Sequence, residues 1–119
     1  MSICGIGVDI IEIPRIKKAH ERWGESFLQK IFTDDEIKYC LRKVIPYPSL
    51  AARFAAKEAG FKALSQAGFH VTLWRSIYVT RSLNGRPHLN VDGLTGIKLH
   101  LALSHSKDSA IAMVVAEHT

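Results

Sequence analysis

The run from Ile3 to Ile11 is short, apolar and rich in β-branched residues, and Pro14 follows it. This predicts a buried strand feeding a helix, because a proline in the first helical turn gives up an N–H that has no partner there anyway. Along that helix Ile16, Ala19 and Trp23 fall on one side, while Arg15, Lys18 and Arg22 recur at i, i+3 and i+7 on another as an exposed cationic ridge. Thr33 and Glu36 have capping-box spacing, with Phe32 and Ile37 placed as a hydrophobic staple, so a second helix is expected from about Thr33. Beyond Pro46 and Pro48, residues 49–68 carry helix formers up to Gly68 and predict the longest helix.

Asn84-Gly85, flanked by WRSIYVTRSL and PHLNV, predicts a two-residue hairpin, since both residues tolerate positive φ. KLHLALS and SAIAMVVA, joined through residues 105–108, predict a second strand pair. One strand, three helices and then strands make an α+β protein. With 119 residues, 47% of them hydrophobic, and no repeat or linker, residues 1–119 are expected to form a single domain.

Charge and cysteine usage narrow the picture only a little. Sixteen Lys and Arg against eleven Asp and Glu give +5, which favours an anionic partner without naming it. Cys4 and Cys40 lack C-x-x-C spacing and are too few for a disulfide scaffold, so reduced thiols in a cytoplasmic protein are expected. The N-terminus has no basic region before its apolar stretch, which Gly5, Gly7 and Asp9 interrupt, so it reads as neither signal peptide nor membrane span.

Two acids stand out against this background. On the long helix Glu58 falls between Phe54 and the Ala51/Ala55 stripe, where an unpaired carboxylate would cost several kcal/mol, roughly, so it needs a cation. Lys62 at i+4 is one choice, an ordinary helix pair worth about 0.3–0.5 kcal/mol if exposed; a metal ion shared with a second acid is the other. Asp9 is that second acid, set in an apolar strand where aspartate is disfavoured. Two oxygen donors without a Cys or His cluster suit Mg²⁺. The alternative for Asp9 is to cap the following helix or to pair with an arginine. Gly5-Ile6-Gly7 lacks the third glycine and lysine of nucleotide loops and reads as tight packing. Ser104 and His105 are adjacent on a strand and face opposite ways, which excludes a nucleophile–base pair; His105 suits a phosphate contact or an ordinary turn.

The blocks GIGVDIIEIPRI, FTDDEIKYC, RFAAKEAGFKAL, NGRP and LALSHSKDSAIAMV resemble the holo-acyl-carrier-protein synthases of the phosphopantetheinyl transferase superfamily, almost end to end. The resemblance implies an antiparallel sheet packed against the long helix. It also implies transfer of phosphopantetheine from coenzyme A to a serine of an acidic acyl carrier protein, releasing adenosine 3′,5′-bisphosphate. Asp9 and Glu58 match the family's magnesium ligands, and Lys62 matches a lysine supporting the diphosphate chemistry. Arg53 and Lys57 match the cofactor-facing helix, and Gly85, Pro87 and His105 match cofactor-contact segments. Arg15 matches the helix that meets the carrier protein, with Lys18 and Arg22 extending the same ridge. Glu58 or a water at the metal would take the serine proton. The family is typically a homotrimer with active sites between subunits. The chain departs from it at SQAGFHV, where the family has a glycine-rich loop, and at Arg75, Ser76 and Tyr78, where acids are usual.

Two other classes are considered. A nucleic-acid-binding module should show aromatics on a basic face, whereas Phe27, Phe32, Phe54 and Phe61 sit at core-like positions. A coenzyme A-dependent acyltransferase would leave the diphosphate intact and need no magnesium.

Overall fold

The computed structural model describes residues 2–119. Strand β1 (Ile3–Glu12) runs directly into α1 (Ile13–Trp23), followed by α2 (Glu25–Ile31), α3 (Asp34–Leu41) and α4 (Tyr47–Gln66). A 3₁₀ turn at Trp74–Ser76 leads into β2 (Ile77–Arg81) and β3 (Pro87–Val91), then β4 (Ile97–His105) and β5 (Ser109–His118). The strands make an antiparallel sheet in the order β1-β5-β4 and a separate antiparallel pair β2–β3, and both pack on α4. The α+β class and the sheet-on-helix arrangement are as expected.

Small residues make this packing possible. A Cβ at Gly5 would lie 1.9 Å from the carbonyl oxygen of Ala63, and one at Gly7 the same distance from that of Ala59. The backbone of β1 therefore rests directly on the backbone of α4, and only glycine fits. Tight packing is the role of the Gly5-Ile6-Gly7 run. On the other side of α4, a Cβ at Gly60 would lie 2.5 Å from Ile77 Cδ1, so the β2–β3 pair closes on the helix there. Phe54 and Phe61 pack on Trp74, with ring centroids 5.1 and 4.9 Å away.

Several local expectations change. β1 is not buried on both faces: Gly5, Gly7 and Ile11 point inward, but Ile6, Val8 and Ile10 are 50–66% exposed. The strand covers α4 with one face only, and no described element packs on the other. A fourth helix, α2, appears because Gly24 (φ 62°) ends α1 and restarts the chain without a side-chain cap. That break leaves Trp23 exposed, beyond the buried Ile16 side, with the Arg22 guanidinium 4.9 Å from its ring centroid. The hairpin loop spans residues 82–86 and is not a two-residue turn. Only Gly85 takes positive φ (84°), while Asn84 acts through its side chain, accepting from Arg86 N at 3.1 Å. Trp74–Ser76, expected within a strand, forms the 3₁₀ turn, closed by Ser76 Oγ donating to Leu73 O at 2.7 Å. The capping box is present: Thr33 N donates to Glu36 Oε1 at 2.9 Å, and Glu36 N donates to Thr33 Oγ1 at 3.2 Å. No helix among the described residues is long and apolar enough to cross a membrane.

Candidate active site

The glycine contacts press β1 onto Ala59 and Ala63, and Asp9, two residues beyond Gly7 on the same face, arrives beside the flank of α4 that carries Glu58 and Lys62. Lys62 Nζ donates to Val8 O at 2.9 Å and meets Asp9 Oδ1 at 3.4 Å. Burial and the nearby Asp9 charge push the Glu58 carboxyl above the usual carboxylate range, and Lys62 offsets them only in part. The ion pair of Lys62 is thus with the strand and not with Glu58. Asp9 caps no helix, since Glu12 is the residue at the start of α1.

Two carboxylates from different elements, one buried enough to resist ionising beside the other, form a site short of positive charge. Among the described residues no group of three or more His, Cys, Asp or Glu gathers as a metal cage. Mg²⁺ does not need one, because it commonly uses one or two carboxylates and completes its shell with water and substrate phosphates. The donor set of Asp9 and Glu58 fits that ion.

The residues expected at the cofactor separate into three places. Lys57 is corrected outright. It is fully buried on another flank of α4, with Nζ 2.8 Å from Glu36 Oε1, donating to Trp74 O at 3.2 Å and to Ile77 O. Burial holds its ammonium below the ordinary lysine range although Glu36 acts in the opposite sense, and no donor is left for a cofactor. Arg53, one turn earlier on that flank, is also buried and lies against Tyr39. Gly85 and Pro87 belong to the β2–β3 pair. That pair contacts α4 at Gly60, about 200° around the helix from Glu58 at 100° per residue. His105 ends β4, aligned across the sheet with Ala110 and Ile11, on the face that Asp9 shares but two strands away, about 10 Å. Its ring is exposed and bonds only Ser106 O, at 3.3 Å. Arg15, Lys18 and Arg22 are exposed along α1 as expected, and none forms an ion pair among the described residues.

Sequence reasoning missed Glu36 as a buried acid. Beyond its cap bond, it accepts from Val79 N at 2.9 Å and pairs with Lys57, tying α3 to β2 and α4. The capping-box spacing found Glu36 but disclosed only its local partner. The anchoring of Lys62 by a main-chain carbonyl left no signal at all.

The geometry can be set beside known proteins. Residues 5–114 match the sequence profile of the 4'-phosphopantetheinyl transferase superfamily. A holo-[acyl-carrier-protein] synthase of Halothermothrix orenii is 46% identical over 123 aligned residues, covering 97% of this chain and 98% of that protein. One from Chloroherpeton thalassium is 41% identical, covering 94% and 96%. The crystal structure of a holo-(acyl-carrier-protein) synthase from Bacillus anthracis in complex with CoA (3',5'-ADP) superposes with a TM-score of 0.85 at 35% identity, covering all of both chains. That of Helicobacter pylori with coenzyme A gives 0.80 at 30% identity, covering 94% of this chain and 99% of the other. With β1, α4 and both carboxylates inside the matched region, the chain belongs to the holo-[acyl-carrier-protein] synthase family of the 4'-phosphopantetheinyl transferase superfamily.

Proposed function

We propose that the chain transfers the 4'-phosphopantetheine group of coenzyme A to a serine hydroxyl of an acidic apo acyl carrier protein, releasing adenosine 3',5'-bisphosphate. The observation that carries the reading is the pair Asp9 and Glu58, brought together from β1 and α4 with Lys62 alongside. Asp9 and Glu58 would hold Mg²⁺, which when bound neutralises charge on the diphosphate oxygens. Lys62, fixed by Val8 O, presents its ammonium to the same diphosphate. The serine oxygen forms a bond to the phosphorus nearest pantetheine as the bond to the adenosine bisphosphate breaks. Of this chain's own groups, Glu58 would take the serine proton.

Arg15, Lys18 and Arg22 are exposed and form no ion pair among the described residues, which supports their use on the acidic carrier protein. Ile6, Val8 and Ile10 on β1, with Ile111 and Met113 on β5, leave an apolar stripe uncovered. That stripe supports self-association, and we read the assembly as a homotrimer. Because Gly85 and Pro87 lie on the far side of α4 from Glu58, they would complete a neighbour's site and not their own. Cys4 and Cys40 are both free thiols, which supports work in the cytoplasm.

The test is to incubate the protein with coenzyme A, Mg²⁺ and an apo carrier protein, and to weigh the carrier by mass spectrometry. A phosphopantetheine mass gain with release of adenosine 3',5'-bisphosphate is expected. An acyl mass gain, or none, would contradict the reading.

A further inference from the structure

β1 is an edge strand, bonded to β5 on one side only. Along such an edge alternate residues turn their N–H and C=O groups away from the sheet. Two of these groups are taken by side chains of α4: Gln66 Oε1 accepts from Ile6 N at 2.9 Å, and Lys62 Nζ donates to Val8 O at 2.9 Å. The two bonds are successive rungs. Gln66 and Lys62 stand about 6 Å apart along the helix, and Ile6 and Val8 about 7 Å apart along the strand. With Gly5 on Ala63 and Gly7 on Ala59, helix and strand run in opposite directions, so rungs of this spacing stay in step. Continuing the count sets Glu58 level with Ile10, and that rung is open: Glu58 forms no hydrogen bond among the described residues.

Gln66 and Lys62 provide the only hydrogen bonds from α4 to β1 among the described residues. The glycine contacts beneath them are close but not directional, so it is the rungs that fix where β1 sits along the helix. Lys62 has a second task. Of its three donors one is on Val8 O and one turns to Asp9 Oδ1 at 3.4 Å, which leaves one for the diphosphate. A lysine that held the strand alone would carry Val8 with it when a phosphate drew its charge. Gln66 bears the same strand with a neutral group, exposed at the last residue of α4, whose amide nitrogen bonds no described residue.

We propose that Gln66 is a positioning residue for the transfer, acting through Lys62: it fixes the β1 edge at Ile6, which keeps Val8 O in place as the seat of the Lys62 ammonium. The role rests on the transferase reading of the flank that carries Glu58, but the clamp itself does not. It needs no contact between Gln66 and either substrate. Its signature is a loss in the chemical step, not in coenzyme A binding, that disappears when Lys62 is gone.

The test compares Gln66→Met, which keeps the length of the side chain but removes the acceptor, with Gln66→Glu, which keeps an acceptor oxygen. Gln66 is exposed, so both variants are expected to fold. Amide hydrogen exchange without substrates or Mg²⁺ reads the clamp. The Ile6 amide is expected to exchange about tenfold faster in Gln66→Met and near the wild-type rate in Gln66→Glu. Steady-state transfer from coenzyme A to an apo carrier protein with Mg²⁺ reads its use. Gln66→Met is expected to lower kcat about tenfold with the KM for coenzyme A within about twofold, and to have no such effect in a Lys62→Ala background. A general loosening of the fold would lower kcat equally in both backgrounds. Unchanged Ile6 exchange in Gln66→Met, an unchanged kcat, a loss carried by KM, or an equal loss with and without Lys62 would overturn the proposal. A wild type that transfers nothing while Gln66 still protects Ile6 would contradict the transferase reading, and with it the role of Gln66, but not the clamp.

Discussion

Two flanks of α4 each set a lysine against a carboxylate of another element, Lys57 against Glu36 of α3 and Lys62 against Asp9 of β1, and they have opposite characters. On one, Lys57 and Glu36 are sealed from solvent, and the lysine's three donors all reach protein acceptors. On the other, Lys62 is half exposed and bound to the strand, leaving Glu58 beside Asp9 with too little positive charge. Partner supply, not residue type, separates them. The saturated pair holds α3, α4 and β2 together; the undersupplied pair is where an outside cation and a phosphate can enter.

The largest expected effect comes from breaking the saturated pair. Lys57→Met leaves Glu36 charged and unpaired in the core, and urea unfolding should show a loss of about 3–5 kcal/mol. A loss below about 1 kcal/mol would mean that the pair is not load-carrying as described. On the other flank, Asp9→Ala and Glu58→Ala should each lower turnover about 10²–10³-fold while melting cooperatively, because those acids are proposed to serve the reaction and not the core. Steady-state kinetics at saturating coenzyme A tests this, and near-normal turnover at limiting Mg²⁺ would refute it. Lys62→Ala should lower kcat about tenfold or more with less change in coenzyme A binding, if its charge acts mainly in the transition state. Equal changes in both would make it a binding residue. Smallest is Arg15→Glu on the α1 ridge. It should raise the carrier-protein KM several-fold and flatten its salt dependence, since the attraction it removes is the part that salt screens, over about 8 Å at physiological ionic strength. An unchanged KM would leave the ridge as solvated surface.

How much of this was legible in the sequence follows the range of each interaction. The capping box at Thr33, the long helix and the strands of the C-terminal sheet rest on neighbours in the chain, and periodicity and spacing find them. Asp9 and Glu58 were visible because a charge in an apolar pattern is a local contradiction, wherever its partner lies. Lys57 was misplaced for the complementary reason. Its partners Glu36, Trp74 and Ile77 are distant in sequence, and nothing in KEAGFKAL distinguishes a lysine that faces α3 from one that faces a cofactor. The exposed face of β1 was hidden in a run apolar at nearly every position, and α2 was too short to show a period. The clamp on the β1 edge joins Gln66 to Ile6, 60 residues away in the chain, so only the folded chain assembles it.

The central claim is that the Asp9–Glu58 flank lacks a cation, and thermal unfolding with and without Mg²⁺ tests it most directly. Because the folded-state pKa of Glu58 is raised above its ordinary value of 4.5, the stability that Glu58 contributes is present below about that pH and is lost as pH rises through the raised value. At neutral pH without metal, Glu58→Gln should therefore melt at or above the wild-type temperature. Mg²⁺ should raise the wild-type melting temperature, less so as pH falls toward the Glu58 pKa, and should do little for Glu58→Gln or Asp9→Asn. A wild-type protein indifferent to Mg²⁺, or variants stabilised by it equally, would contradict the account.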